Sequence, residues 1–198
     1  MRPLLYWSFR VKAKPLYSTS ITQGLNILTT CDLSVGAAFQ PRTSHFSRSW
    51  RKIRVRKGRS SEIGRYYLLT TSTRNRVPIF TLPEAAKIVL SSLHWFDKKG
   101  QINLEAAVIM PDHVHFIAQL CSGSLTTLMH TLKGYTARKT NQQLNRKGPL
   151  WQPQYHDHAI RKDEVLHEIT LYCLHNPVRA GLVKVFNDYP YWYCRWQV

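Results

Sequence analysis

The chain has 198 residues, 28 lysines and arginines against 11 aspartates and glutamates, and a formal net charge of +17. Its length fits one domain with room for an appended segment, and 43% hydrophobic with 12% aromatic residues excludes a wholly disordered chain. The charge excess is beyond what solubility needs and points to a polyanionic partner, nucleic acid or anionic lipid.

The charge is unevenly spread. Residues 1–65 carry a net +11 and residues 66–198 a net +6, so a strongly basic front precedes a moderately basic body. No apolar run approaches the roughly 20 residues of a spanning helix, and the start lacks a signal-peptide core. Cys31, Cys121, Cys173 and Cys194 are dispersed without a C-x-x-C pair, which disfavours a zinc ribbon, a redox dithiol or a disulfide scaffold. A reducing cytoplasm and no membrane association are the expectation.

Residues 1–46 show no sustained period and read as an unstructured or irregular extension, in preference to an organellar presequence. Residues 47–65 read as a basic arm, in which Arg51, Lys52, Arg54, Arg56, Lys57 and Arg59 interleave with Ile53 and Val55. Regular structure is expected over 66–198. Tyr66 to Thr73 is rich in β-formers and reads as a strand. Pro83-Glu84 opens a helix with the stripe Ala86, Val89, Leu90, Leu93 and Phe96, and Gly100 marks its end.

Leu104 to Met110 and His113 to Gln119 read as a hairpin turned at Pro111-Asp112. Residues 124–145 form a helix with Leu125, Leu128, Met129, Leu132 and Tyr135 on one face. Tyr155 to Ile160 is a further strand. Asp163 is the expected N-cap of a last helix running to about Asn176, where Pro177 stops it. The order β-α-β-β-α-β-α, with its hairpin, predicts an α+β sandwich rather than a parallel sheet.

Two groupings could carry chemistry. Residues two apart on a strand face one side, so His113 and His115 would project together and could chelate one divalent ion. The bland alternative is a chance H-x-H, although paired polar groups on a core strand need partners. A second H-x-H, His156-Asp157-His158, sits in a more polar setting. Its Asp157 would point to the opposite face, and Asp157 and His158 could orient metal ligands, contact phosphate or be solvated.

The other grouping is Tyr172 with Asn176, four apart on one helix face. A tyrosine hydroxyl can act as nucleophile and an amide oxygen can complete a metal site. On periodicity alone, packing for Tyr172 and a C-terminal cap for Asn176 are the stronger readings. Phosphate-loop, dinucleotide, H-E-x-x-H and G-x-S-x-G signatures are missing from the sequence.

Three segments together resemble the single-tyrosine HUH transposases, and especially their REP-associated tyrosine transposase branch. They are Val108 to Ile117 with its Met-Pro lead-in to His-Val-His, Leu150 to Arg161 with Trp-Gln and His-Ala-Ile-Arg, and Tyr172 to Val183 with Asn-Pro-Val-Arg-Ala-Gly-Leu-Val. Their order and spacing agree with the family over about residues 65–190. The aromatic run Tyr189 to Trp196 departs from it, and is expected to pack against the sheet rather than stack on bases.

The resemblance implies a ferredoxin-like antiparallel sheet with an HUH-type core, its histidines on a central strand facing the tyrosine helix. It further implies His113, His115 and Asn176 as ligands of Mg2+ or Mn2+, and Tyr172 as nucleophile. The implied activity is transposition: cleavage and rejoining of hairpin-bearing single-stranded DNA, such as REP-like repeats, through a 5′-phosphotyrosine. Arg161 and the arm residues would grip DNA. The protein would act in the cytoplasm at the nucleoid, as a monomer or homodimer. A catalytically silent hairpin-binding protein of the same fold is the alternative. A metal phosphoesterase using only the histidines leaves the tyrosine segment unexplained.

Overall fold

The computed structural model describes residues 61–161 and 164–196. The expectations for the 1–46 extension, for arm residues Arg51, Lys52, Arg54, Arg56, Lys57 and Arg59, and for an Asp163 cap lie outside these. The described elements are β1 (Tyr66–Ser72), α1 (Pro83–Lys98), β2 (Ile102–Met110), β3 (His113–Leu120), α2 (Leu125–Gln143), β4 (His156–Ala159), α3 (Leu166–Leu174), α4 (Asn176–Arg179) and β5 (Trp192–Cys194). All strand pairings are antiparallel, in the order β4-β1-β3-β2-β5. The first four strands with α1 and α2 make the β-α-β-β-α-β arrangement of a ferredoxin-like fold.

Strand alternation divides the buried residues between two faces. Tyr67, Leu69, Val114, Phe116, Ala118 and Leu120 join Val89, Leu93 and Phe96 of α1 and Leu128, Met129 and Leu132 of α2 in the larger core. Leu68, Val108, Met110 and Ile117 face the other way and pack with Ile169, Cys173 and Leu174 of α3. Helices therefore cover both faces, which explains why β2 and β3 read as apolar runs.

A bulge at Glu105 resets the parity of β2. Ile102 and Leu104 belong to the α1–α2 core before it, and Ala107 and Ile109 after it. Pro111-Asp112 closes the hairpin as expected, pairing Met110 with His113. Gly100, at φ +67°, ends the α1 segment in the left-handed conformation that glycine adopts without steric cost.

Several expectations are corrected. Tyr135 is 44% exposed, and the buried Thr136 takes its place by accepting a hydrogen bond from Trp151 Nε1 at 2.9 Å. A satisfied hydroxyl can occupy a core position that hydropathy assigns to the neighbouring ring. The last helix starts at Leu166 with an exposed Val165 at its N-cap and no side-chain cap. Pro177 does not stop the chain's helical course. It stands in the first turn of α4, where its missing N–H costs nothing, and Gly181 at φ +70° follows. The aromatic run supplies β5, a strand that sequence patterning did not resolve. Tyr189 Oη donates to the Ile109 carbonyl at 2.7 Å, so this run packs on the sheet as expected.

Candidate active site

His113 and His115 stand on β3, the central strand, and project from the face covered by α3. Their ring centroids are 4.7 Å apart with the planes nearly perpendicular. Each ring is held through Nδ1. His113 Nδ1 lies 2.5 Å from Asp112 Oδ1, and Asp112 Oδ2 accepts from Arg76 Nη1 at 3.3 Å. Burial pushes the Asp112 carboxyl up, but the His113 hydrogen bond and the positive charges of His113 and Arg76 outweigh it and hold the pKa below the usual value. An ionised carboxylate only accepts, so His113 donates from Nδ1, and Nε2 is the nitrogen left facing away from Asp112.

His115 Nδ1 lies 2.8 Å from Thr70 Oγ1, its cross-strand partner on β1. Burial, then the charges of His113, Arg179 and Arg76, push the His115 pKa down to about 3. It is therefore a neutral imidazole at any physiological pH. The Thr70 hydroxyl can accept from Nδ1 or donate to it, and in the tautomer where it accepts, His115 too presents an Nε2 lone pair. A divalent metal takes imidazoles in their neutral form, and here each ring is oriented by a hydrogen bond at Nδ1.

The turn before α1 brings Arg76 to this site. Asn75 and Arg76 both adopt φ 56°, a left-handed conformation disfavoured for residues other than glycine. Thr73 Oγ1 donates to the Val77 carbonyl at 2.8 Å and lies 3.0 Å from the Asp112 carbonyl, tying the turn to the hairpin.

Ile169, Cys173 and Leu174 dock α3 on the face that carries the histidines. Burial pushes the Cys173 thiol up to about 12, which makes it packing rather than a nucleophile. The neighbouring Tyr172 is half-buried, with the Arg179 guanidinium carbon 3.7 Å from its ring centroid. Arg179 also donates from Nη2 to Asn176 Oδ1 at 2.6 Å and from Nη1 to the Tyr172 carbonyl at 3.2 Å. Asn176 Nδ2 donates to the Cys173 carbonyl at 2.8 Å, so the amide's orientation is set and its oxygen faces Arg179.

The second histidine pair shares the first pair's face, because β4 places His156 beside Thr70 and His158 beside Leu68. Asp157 pairs with Leu69 and so points to the opposite face, as its spacing predicts. His158 Nε2 is 3.0 Å from Glu164 Oε1. Asp112 and Thr70 hydrogen-bond the Nδ1 atoms of the first pair. Arg161 is exposed just beyond β4, its backbone N–H donating to Glu164 Oε2 at 2.7 Å.

Sequence reasoning missed Thr70, Asp112, Glu164 and Arg179. Asp112 carried a signal, since it directly precedes His113 but was read only as a turn residue. Arg179, seven residues after Tyr172, lies two helical turns on. Thr70 needed the sheet register.

Among the described residues, no group of three or more His, Cys, Asp or Glu side chains gathers to hold a metal. Two imidazoles and an amide oxygen are a different donor set, and one that leaves positions for phosphate and water oxygens. Divalent ions accept donors of these types.

The model of the family described as Transposase IS200 like matches residues 63–173, more than half of the chain. The chain belongs to that transposase family. The matched stretch includes His113, His115 and Tyr172 and stops short of Asn176. A candidate REP-associated tyrosine transposase of Haemophilus influenzae is 32% identical over 97 residues, which are 43% of this chain and 55% of that protein. The REP-associated tyrosine transposase of Escherichia coli K12 is 26% identical over 139 residues, 66% of this chain and 81% of that protein. A solved structure of a REP-associated tyrosine transposase bound to a REP hairpin superposes with a TM-score of 0.56 at 23% identity, covering 69% of this chain and 81% of that one. This IS200-like transposase thus shares that protein's α+β fold.

Proposed function

We propose that this transposase binds hairpin-bearing single-stranded DNA and cleaves and rejoins it through a covalent 5′-phosphotyrosine on Tyr172. The observation that carries this reading is the pair of anchored imidazoles on the central strand, on the same sheet face as α3, which bears Tyr172, with Asn176 opening α4 directly after it. His113, His115 and Asn176 would hold Mg2+ or Mn2+. Bound there, the ion would withdraw charge from a non-bridging oxygen of the target phosphate.

The remaining chemistry belongs to the chain. Tyr172 Oη loses its proton and forms a bond to phosphorus, and the bond from phosphorus to the 3′ oxygen breaks. That oxygen takes a proton and leaves as a 3′-OH. Attack by another 3′-OH reverses the sequence, forming a new P–O bond and returning the tyrosine. The phosphotyrosine conserves the bond's energy, so rejoining needs no external source. Thr70 and Asp112 hold the orientation of the imidazoles, while Ile169, Cys173 and Leu174 fix the helix that presents the nucleophile.

The hairpin partner is favoured by the basic charge and by the names of the relatives, one of which is described with a REP hairpin bound. Arg161 and the basic residues at 51–59 would contact the phosphate backbone. Among the described residues no helix is long and apolar enough to cross a membrane. Action at the nucleoid in the cytoplasm, as a monomer or homodimer, accords with a DNA substrate.

Labelled hairpin DNA incubated with the full chain and Mn2+ tests the reading. A covalent protein–DNA adduct is expected with the wild type and none with Tyr172→Phe, a loss of at least ~100-fold. Tight hairpin binding without adduct, across metals and flanking sequences, would instead establish a binding protein without turnover.

A further inference from the structure

Arg179 has no part in the cleavage chemistry just described, yet it touches both groups on which that chemistry depends. Its guanidinium covers the Tyr172 ring at 3.7 Å and donates a 2.6 Å charge-assisted hydrogen bond to Asn176 Oδ1. That oxygen is the atom through which Asn176 would meet a metal. A divalent cation on it would stand within a few ångströms of the guanidinium charge, and the two cations repel. Arg179 is exposed and makes no ion pair with a carboxylate among the described residues. No carboxylate of the described residues balances its charge, and the planar fork suits a phosphate better than an amide oxygen or a tyrosine ring.

We infer that Arg179 is a latch: it occupies Asn176 Oδ1 and covers Tyr172 in the DNA-free protein, and the backbone phosphate of an entering strand draws it away. The inference rests on the reading of Asn176 as a ligand. Metal and DNA would then bind cooperatively, since the strand removes the positive charge that opposes the ion. Unproductive metal loading without DNA would be suppressed, and Arg179 is a positioning residue for both Asn176 and the nucleophile.

Mn2+ binding to the full chain, followed by the electron paramagnetic resonance of unbound Mn2+, tests this without reference to turnover. In the absence of DNA, Arg179→Gln is expected to bind Mn2+ about 5-fold or more tightly than wild type. The gain should vanish in an Asn176→Ala background, because the oxygen being contested is then gone. In a Tyr172→Phe chain, which cannot cleave, hairpin DNA should tighten Mn2+ binding, and adding Arg179→Gln should shrink that tightening.

Equal or weaker Mn2+ binding by Arg179→Gln, or a gain that persists without Asn176, overturns the latch. Arg179→Lys, which loses the planar fork, is the second variant if the first does not fold, with a smaller change in the same direction expected and no change overturning the idea. The adduct assay separates the two readings. A Tyr172-dependent adduct with unaltered Mn2+ affinity sinks the latch alone, whereas the lack of any adduct sinks the transposition chemistry whatever Mn2+ does.

Discussion

At the scale of single residues, the site depends on how its histidines are held. Asp112 and Thr70 each hydrogen-bond one Nδ1, and so fix how each ring is turned toward the α3 face. Asp112→Asn leaves a partner that no longer requires His113 to donate, and Thr70→Val removes the partner of His115 entirely. Each is expected to lower Mn2+ affinity about 10- to 100-fold, read by titration, with little change in melting temperature for Asp112→Asn. Unchanged affinity in both variants would mean that the imidazoles need no anchoring. His113 and His115 were legible in the sequence because a two-residue period is a local property of a strand. Thr70 was not, since it lies 45 residues away and reaches His115 only through the β1–β3 register.

At the scale of elements, the bulge in β2 has an energetic signature. Glu105 is 5% exposed, its Oε2 has no hydrogen-bond partner among the described residues, and Arg195 Nε is 3.6 Å from Oε1. Burial raises its pKa; Arg195 opposes this, and Asp97 adds to it. A carboxyl whose folded-state pKa lies above its unfolded value stabilises the fold while protonated. That contribution is full below the unfolded value and is lost as pH rises through the folded one. Glu105→Gln cannot ionise, so its melting temperature relative to wild type should climb as pH rises above the ordinary carboxyl value of about 4. A flat or falling difference in thermal melts would show that Arg195 fully compensates the charge. The apolar run Leu104 to Met110 marked this strand, but a single buried acid within it gave no sign of the parity change. Likewise, period-based reading ended the tyrosine helix at Pro177, whereas the chain resumes helical geometry there as α4 and so delivers Arg179 back to Tyr172.

At the scale of the whole molecule, the proposed function divides the work between a basic segment that grips DNA and a body that acts on it. Seven Lys and Arg residues and no acid occur in residues 48–59, ahead of the sheet that carries the candidate site. If each neutralises one phosphate of a single strand, deleting 48–59 should flatten the slope of log K against log salt by up to about 5. Deleting 1–46 should change it much less. Fluorescence anisotropy with a labelled hairpin at several salt concentrations measures both. An unchanged slope after removal of 48–59 would place the phosphate contacts on the body, with Arg161 and the exposed Arg74 and Arg76 as the residues to substitute next.

The sequence alone determined the net +17 and its uneven split, the β2–β3 hairpin, the strand that aligns His113 with His115, and the four-residue separation of Tyr172 and Asn176, which the structure divides between α3 and α4. These follow from composition and from backbone periods that act over a few residues. Only the tertiary structure decided what holds those groups. The Nδ1 partners depend on strand register, the Arg179 clasp on how α3 and α4 meet, and the fifth strand on an aromatic tail that pairs with β2 some 85 residues earlier in the chain. Such contacts are selected by the packing of distant segments against a shared sheet, and no local pattern encodes them.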